Sequence, residues 1–390
     1  MAAIVLFSLD SLIKINFDDF RIHISHLLIL VIVLASFASP KKWVTNYARH
    51  NKTIIFLLAY LLIHVFFAND LKTYVIVMSY FILAVMTHIA IFTYANKTNF
   101  SYFFRISLIL LISTGFAQFL LQNVFNYQLT LGGLSDDYYS DGGSIADRMR
   151  GFFLEPNWYG LYLAASLIGY MITASQPRKT VYLLSLSIIC LYLSGNRLTL
   201  YFSLLSITVY FYEKNFHRVP KIALMSACLA PMALLLILTF STSLADSVGD
   251  DRSASARSVT ALKTVTFIQS NFSIPSIFLG NGLSTWGEAS LQENLSSRAT
   301  AEKSKTARDT SESYVVLFEL GLIGVLLFLL DFRATWNLAA RRPESSQIII
   351  LTMLVFNAAF YYPIFYFMMY LAPYFAARTY CTIKSGQPNV

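Results

Sequence analysis

Charge is what this sequence has least of: 13% of its 390 residues are Asp, Glu, Lys or Arg, while 56% are hydrophobic. A soluble fold needs a charged, solvated surface, so a chain this poor in charge is expected to cross a membrane many times. Cysteine is scarce as well. Cys190 and Cys228 lie inside apolar runs and Cys381 lies in the tail, which excludes a disulfide framework, a zinc site with Cys-x-x-Cys spacing and thiol redox chemistry. No internal repeat and no Pro/Ser linker divides the chain, so residues 1–390 read as one domain. The start lacks the basic n-region and the small-residue cleavage site of a secretory signal, so Met1 to Leu12 is expected to be a short first span. The formal charge of +8 is spread over short loops between apolar runs, which argues against nucleic acid as a partner.

What is present is a succession of apolar runs. On the ruler of about 20 residues per span, they fall near 1–15, 22–39, 53–68, 73–95, 101–125, 156–175, 179–195, 197–213, 219–243, 312–331, 346–361 and 364–380. The fold class is therefore an all-α polytopic bundle of about 12 transmembrane helices. Tyr361, Tyr362 and Pro363 break the final run into two arms. Lys41, Lys42, Arg49 and Lys52 share one loop, Arg178 and Lys179 a second, Lys214, Arg218 and Lys221 a third, and Arg333, Arg341 and Arg342 a fourth; span parity puts all four on one side, the cytoplasmic one. The opposite side receives the loop 126–155, the turn Ser194–Arg197 and the stretch 244–311, with Asp136, Asp137, Asp141 and Asp147.

The stretch 244–311 is the longest interval a membrane would reject, and it is expected to form a large outer loop. Within it Val259, Leu262, Val265, Ile268 and Phe272 recur at spacings of three and four, the pattern of an amphipathic helix lying on the membrane surface or on the bundle. Arg252 and Arg257 precede or open that helix. Arg148, Arg150 and Arg197 stand on the same outer side, where the positive-inside rule discourages them, and so many arginines there point to an anionic partner. Arg197 stands out most, because it lies two residues into an apolar span, and a charge there usually faces a partner or a cavity.

Four short segments add detail. In Arg148-Met-Arg-Gly-Phe-Phe-Leu-Glu-Pro-Asn-Trp-Tyr-Gly, Pro156 suits the first turn of a helix and Glu155 complements its positive end. Ser194-Gly-Asn-Arg-Leu follows, then Pro275-Ser-Ile-Phe-Leu-Gly-Asn-Gly, then Ser313-Tyr-Val-Val-Leu-Phe-Glu-Leu-Gly-Leu-Ile-Gly running into a span. Gly280-Asn-Gly282 follows no strand of an α/β unit and is not a dinucleotide fingerprint.

In this order and at these distances, the four segments resemble the O-antigen polymerase and O-antigen ligase superfamily of bacterial inner-membrane glycosyltransferases, over roughly residues 145 to 330. The resemblance implies transfer of a glycan from an undecaprenyl-diphosphate carrier to a second lipid-linked unit, at the periplasmic face of the inner membrane. It implies lipid-linked donor and acceptor, membrane lipid and a chain-length regulator protein as partners, and no cofactor, because the anomeric phosphate bond stores the energy. Arg197, Arg252 and Arg257 would then bind the diphosphate through the planar fork of guanidinium donors, and Arg148, Arg150, Glu155, Asn157 and Tyr314 would contact the substrate.

The ligase branch typically has a His shortly before the closing span, whereas here His23, His26, His50, His64, His88 and His217 all lie elsewhere and Asp309-Thr-Ser-Glu312 stands in that place. This departure favours a polymerase, with the ligase as the alternative. Glu312 and Asp309 are candidate bases for the acceptor hydroxyl; a carboxylate capping the start of a helix is the plainer reading of each. Asp136, Asp137 and Asp141 raise a metal site, although an acidic, Gly-rich loop is more simply solvated or sugar-contacting, and no metal is expected. A transporter or flippase would want ionisable residues at mid-membrane, and the charged residues here cluster at one face. A mere membrane scaffold would leave the outer arginines unexplained.

Overall fold

A computed structural model of the chain describes residues 14–17, 20–36, 47, 51–95, 99–125, 148–153, 155–174, 181–215, 219–240, 252–271, 273–293, 295, 311–339, 345–362, 364 and 371–386. The regular elements among the described residues are helices apart from one antiparallel hairpin of β1 (Lys14–Phe17) and β2 (Phe20–His23), which pairs Lys14 with His23 and Phe17 with Phe20. The helices are α1 (Ile24–Ser36), α2 (Lys52–Ile63), α3 (Leu71–Thr93), α4 (Phe100–Asn123), α5 (Pro156–Thr173), α6 (Val181–Leu193), α7 (Arg197–Asn215) and α8 (Lys221–Phe240). They continue with α9 (Arg252–Asn271), α10 (Ile274–Leu279), α11 (Trp286–Gln292), α12 (Glu312–Ala339), α13 (Ser345–Tyr361) and α14 (Ala372–Gly386).

Four of these segments are long and apolar enough to cross a membrane: Leu71–Thr93, Phe100–Asn123, Lys221–Leu238 and Glu312–Asn337. Lys52–Phe67, Val181–Leu193 and Ser345–Tyr361 are apolar but shorter. The exposed surface is itself apolar, with Phe56, Phe66, Ile222 and Leu326 among its large side chains, as suits contact with lipid.

Local signals set the helix ends. Asp70 caps α3 by accepting from the Lys72 N–H at 3.0 Å, and Asn99 caps α4 by accepting from the Tyr102 N–H at 3.1 Å. Pro156 opens α5, where its missing N–H costs nothing. Pro231 sits inside α8 and leaves the Ala227 carbonyl without its helical donor; the Tyr201 hydroxyl donates to that carbonyl at 2.8 Å.

The centre of the bundle is α5, buried along nearly its whole length against α4, α6, α7, α13 and α14. Because protein rather than lipid surrounds it, α5 tolerates Ser166 and the small residues Gly160 and Gly169. A methyl group at Gly160 would stand 2.9 Å from the Thr199 hydroxyl, so that glycine fixes how closely α5 and α7 approach. A second core joins α2, α3 and α12, and a third joins α9, α11 and α12.

Four expectations change. The first apolar run falls outside the described residues up to residue 13, and Lys14 and Ile15 belong to a strand. Of the arm expected at 364–380, residues 365–370 lie outside the described residues, and the helix described from Ala372 continues to Gly386. Helix α12 runs past 331 to Ala339, which places Arg333, expected in a cytoplasmic loop, on the helix itself. Finally, α9 turns a different face to the bundle: Ala261, Thr264 and Ile268 are buried, while Val259 is 52% and Leu262 39% exposed, and Phe272 lies outside the described residues. Small side chains let α9 lie close against its neighbours, so the larger residues point outward.

Candidate functional site

The four sequence segments meet in two pairs. In the first, the Met149 N–H donates to the Leu193 carbonyl at 3.0 Å, and Arg148 Nε donates to the Ser194 carbonyl at 2.6 Å. The Arg148–Gly151 strand of chain thus lies along the turn between α6 and α7. Gln118 Oε1 on α4 secures it from the other side, accepting from the N–H groups of Arg150 at 2.9 Å and Gly151 at 3.2 Å. Asn196 ties the turn to the start of α5, donating through Nδ2 to the Asn157 carbonyl at 3.1 Å, and its Oδ1 accepts from the Thr199 N–H at 3.3 Å.

In the second pair, the Gly280-Asn-Gly282 turn docks into a break in α12. Gly321 has φ +63° and leaves the helical path there, so the carbonyls of Phe318 and Glu319 accept from the N–H groups of Asn281 at 2.9 Å and Gly282 at 3.0 Å. A Cβ at Gly280 would stand 2.1 Å from the Glu319 carbonyl oxygen, and one at Gly321 2.4 Å from that of Phe278, so the two backbones meet only through glycine. The Glu319 side chain is buried and accepts from the Trp286 N–H at 3.0 Å, which fixes the start of α11. Tyr60 on α2 donates to both sides of the junction, to the Leu279 carbonyl at 3.1 Å and the Leu320 carbonyl at 2.8 Å.

Tyr362 joins the two pairs. Its hydroxyl donates to Asn196 Oδ1 at 3.0 Å, its carbonyl accepts from the Glu312 N–H at 3.3 Å, and its ring lies 6.1 Å from that of Trp158. The Ser311 hydroxyl donates nearby to the Ala359 carbonyl at 3.1 Å. The N-termini of α5, α7 and α12 therefore gather around the C-terminal end of α13. Each helix start carries the positive end of its dipole, which favours an anion, while the N–H groups of Glu312 and Thr199 are already bonded within the fold.

Beginning at Glu312 and Ser313, a cavity of about 310 Å³ runs between α2, α3, α12, α13 and α14. Its walls are almost wholly apolar, and at its other end stand His88, Asp331 and Tyr374. Glu312 and Asp331 are 19 residues apart on α12, on either side of the break at Gly321. Arg378 grips Asp331 with both arms of its guanidinium, at 2.6 and 2.9 Å, and the Thr53 hydroxyl donates to the same carboxylate at 2.6 Å. Arg378 is buried and Asp331 partly buried, so this pair stands apart from the charged residues expected at the outer face. Helix α12 continues for two turns beyond Asp331.

The sequence-selected residues divide as follows. Arg148, Asn157 and Glu312 are at the junction, and Arg197, the first residue of α7, is exposed beside it. Arg150 is fully buried, its backbone rather than its guanidinium carrying the contact to Gln118. Glu155 precedes α5 without a side-chain capping bond, and Tyr314 stands on the first turn of α12. Arg252 and Arg257 fall on the first two turns of α9, but their side chains lie outside the described residues, as do Asp309 and the acids Asp136, Asp137, Asp141 and Asp147. Among the described residues no group of three His, Cys, Asp or Glu is placed to hold a metal ion. Sequence reasoning missed Asn196, Tyr362, Glu319 and the Asp331–Arg378 pair; the signal for the last was a lone carboxylate within an apolar run.

Searched against family models and against curated proteins, the chain matches none.

Proposed function

We propose that the protein is a membrane glycosyltransferase that polymerises lipid-linked oligosaccharide repeat units, moving the growing glycan from undecaprenyl diphosphate to the terminal sugar of another unit at the periplasmic face. The observation that carries the reading is an apolar cavity that begins at Glu312 and Ser313 on the first turn of α12, a turn to which Tyr362 ties the start of α7, where Arg197 is exposed. A carrier with an anionic diphosphate and a long apolar tail matches both halves. In this reading about 12 spans support a periplasmic loop at 244–311, and Arg252 and Arg257 on α9 join Arg197 in holding the diphosphate as it leaves. Glu312 takes the proton of the acceptor hydroxyl. Arg148 and Asn157 hold the mouth in shape.

A transporter is the second reading, favoured by Asp331, Arg378 and His88 beside the cavity, since ionisable groups within a membrane commonly mark a transport path. The two readings part in a reconstituted assay with purified protein and lipid-linked repeat units. Lengthening of the glycan without any energy source supports the transferase, and movement of the lipid across the vesicle without lengthening overturns it. Arg197→Lys is expected to lower lengthening by at least about tenfold, or about 1.4 kcal/mol, with the thermal midpoint unchanged, because a point charge does not reproduce bidentate phosphate contacts. Normal polymerisation in all three of Arg197→Lys, Arg252→Lys and Arg257→Lys would rule out the phosphate clamp. In cells, loss of the gene should leave one repeat unit on the lipopolysaccharide core; bare core would identify a ligase.

A further inference from the structure

The stretch 244–311 is not polar throughout. Residues 264–287 contain no Asp, Glu, Lys or Arg, and Lys263 and Glu288 bracket them. Part of this uncharged segment is buried, at Ile268, Leu283 and Trp286, but α10 turns apolar side chains outward: Ile274 is 76% and Phe278 52% exposed, and Leu279 is exposed beside them. They have exposed apolar neighbours. The break in α12 sets Gly321 against the Phe278 carbonyl, so residues 278–279 lie alongside 322–323, where Leu322 and Ile323 are exposed. Gly282 meets the carbonyl of Phe67, which brings exposed Phe66 and Phe67 to the same place. On α12 the exposed row continues through Leu326, Leu329 and Leu330, within a segment long and apolar enough to cross a membrane. The outward face of α10 is therefore continuous with the face that α12 turns to lipid.

Lipid makes a demand that water does not: backbone that leaves a helix must find its hydrogen-bond partners inside the protein. The junction meets that demand. The carbonyls of Phe318, Glu319 and Leu320, the three residues before the break, accept from the Asn281 N–H at 2.9 Å, the Gly282 N–H at 3.0 Å and the Tyr60 hydroxyl at 2.8 Å. The polar side chains of the segment are also spent internally. Ser276 Oγ donates to the Ser273 carbonyl at 2.9 Å, Asn281 Nδ2 to the Phe318 carbonyl at 3.0 Å, and Thr285 Oγ1 to the Gly282 carbonyl at 2.7 Å. Depth agrees. From the start of the span at Glu312, Leu320 lies eight residues along regular helix, about 12 Å at 1.5 Å per residue, well inside a hydrocarbon core about 30 Å thick. We infer that residues 274–283 are a re-entrant segment seated in the bilayer against α12, and that the acyl chains of the surrounding leaflet are the partner of α10. The stretch 244–311 then dips into the membrane at this point instead of standing wholly in water. The assignment does not rest on the transferase, since a transporter built on the same bundle would carry the same segment.

The test places the full chain in vesicles of phosphatidylethanolamine and phosphatidylglycerol, with a nitroxide label on one introduced cysteine at a time. Cys190, Cys228 and Cys381 are buried, and the unsubstituted chain carried through the same labelling supplies the background. Ile274→Cys and Phe278→Cys report on α10, Leu326→Cys is the lipid-facing reference on α12, and Glu293→Cys, at an exposed charged position, is the aqueous reference. Collisions with molecular oxygen, which concentrates in lipid, are compared with collisions with a water-soluble nickel chelate. Labels at 274 and 278 are expected to match the label at 326, with the ratio of oxygen to chelate access severalfold above that at 293. Chelate access equal to that at 293 would put α10 in water and overturn the re-entrant segment. Low access to both reagents would overturn it as well, because another protein or a second copy of the chain would then cover α10. Ile274 is the more exposed of the two positions, so its variant keeps the test decisive if Phe278→Cys fails to fold. Glycan lengthening is not read here, so failure of the segment leaves the transferase to its own assay.

Discussion

The two ends of the cavity are built on opposite principles. At the far end, Asp331 and Arg378 neutralise each other in a bidentate pair, with the Thr53 hydroxyl on the same carboxylate and Tyr374 closing in from α14. At the mouth, apart from Arg148 Nε on the Ser194 carbonyl, the named bonds are between neutral groups: an asparagine, a tyrosine hydroxyl and backbone carbonyls hold the helix starts together. Charge that is compensated within the fold contributes to folding and leaves little field for a ligand. Helix N-termini gathered by neutral bonds keep their positive potential turned toward whatever arrives. The difference teaches where to look for chemistry: at the mouth, and not at the deepest charges.

The largest effect that would break this comparison is at the far end. Asp331→Ala leaves the Arg378 guanidinium buried with its main partner gone, and is expected to destabilise the protein by about 3–5 kcal/mol, seen as poor expression and a collapsed thermal midpoint. The paired change Asp331→Leu with Arg378→Met removes both charges and should restore the midpoint. If the paired variant folds and still lengthens glycan at the native rate, the pair is structural. If it folds and is inactive, the far end takes part in function and the contrast between the two ends fails.

Glu312 sharpens the contrast from the other side. It is buried at the first residue of α12, at the mouth, with its N–H on the Tyr362 carbonyl. Glu312→Gln keeps the shape and cannot accept a proton, so glycan lengthening should fall by at least about 10²-fold. A carboxylate that only favours the helix start is worth about 1 kcal/mol of stability and would leave the rate nearly intact. The ratio of rates at matched expression decides between them.

Much of this was legible in the sequence, for identifiable reasons. The positions of α1 to α8, α12 and α13 follow the apolar runs, since the length and apolarity of a segment are local properties. The starts at Pro156 and Arg197 were also readable, each set by residues next to it. What depends on distant contacts was not. Nothing near Gly321 announces that α12 opens there to receive the Gly280–Gly282 turn, because the partner lies about 40 residues earlier and the bonds are to backbone. Asp331 and Arg378 are 47 residues apart, and each looks like an isolated charge until the helices are packed. On α9, periodicity weighted Val259 and Leu262 above Ala261 and Thr264, although close helix packing selects small side chains. Tyr362 was visible only as the point where an apolar run stops.

The smallest effect tests whether Tyr362 is more than that stop. Tyr362→Phe deletes the hydroxyl donated to Asn196 Oδ1 and keeps both the ring near Trp158 and the carbonyl that holds the Glu312 N–H. One buried neutral hydrogen bond is worth about 0.5–1.5 kcal/mol, so the thermal midpoint should fall slightly. Asn196 Oδ1 retains the Thr199 N–H and Asn196 Nδ2 retains the Asn157 carbonyl, so the turn before Arg197 loosens without coming apart. Glycan lengthening is accordingly expected to drop by about fivefold, the equivalent of about 1 kcal/mol in positioning Arg197. Asn196→Ala removes all three of those bonds and should cost more in both readouts. Were Tyr362→Phe as damaging as Asn196→Ala, the single hydroxyl would be holding the helix starts together. Were it silent in both, the three N-termini would be gathered by packing alone, and the neutral bonds at the mouth would no longer distinguish it from the compensated far end.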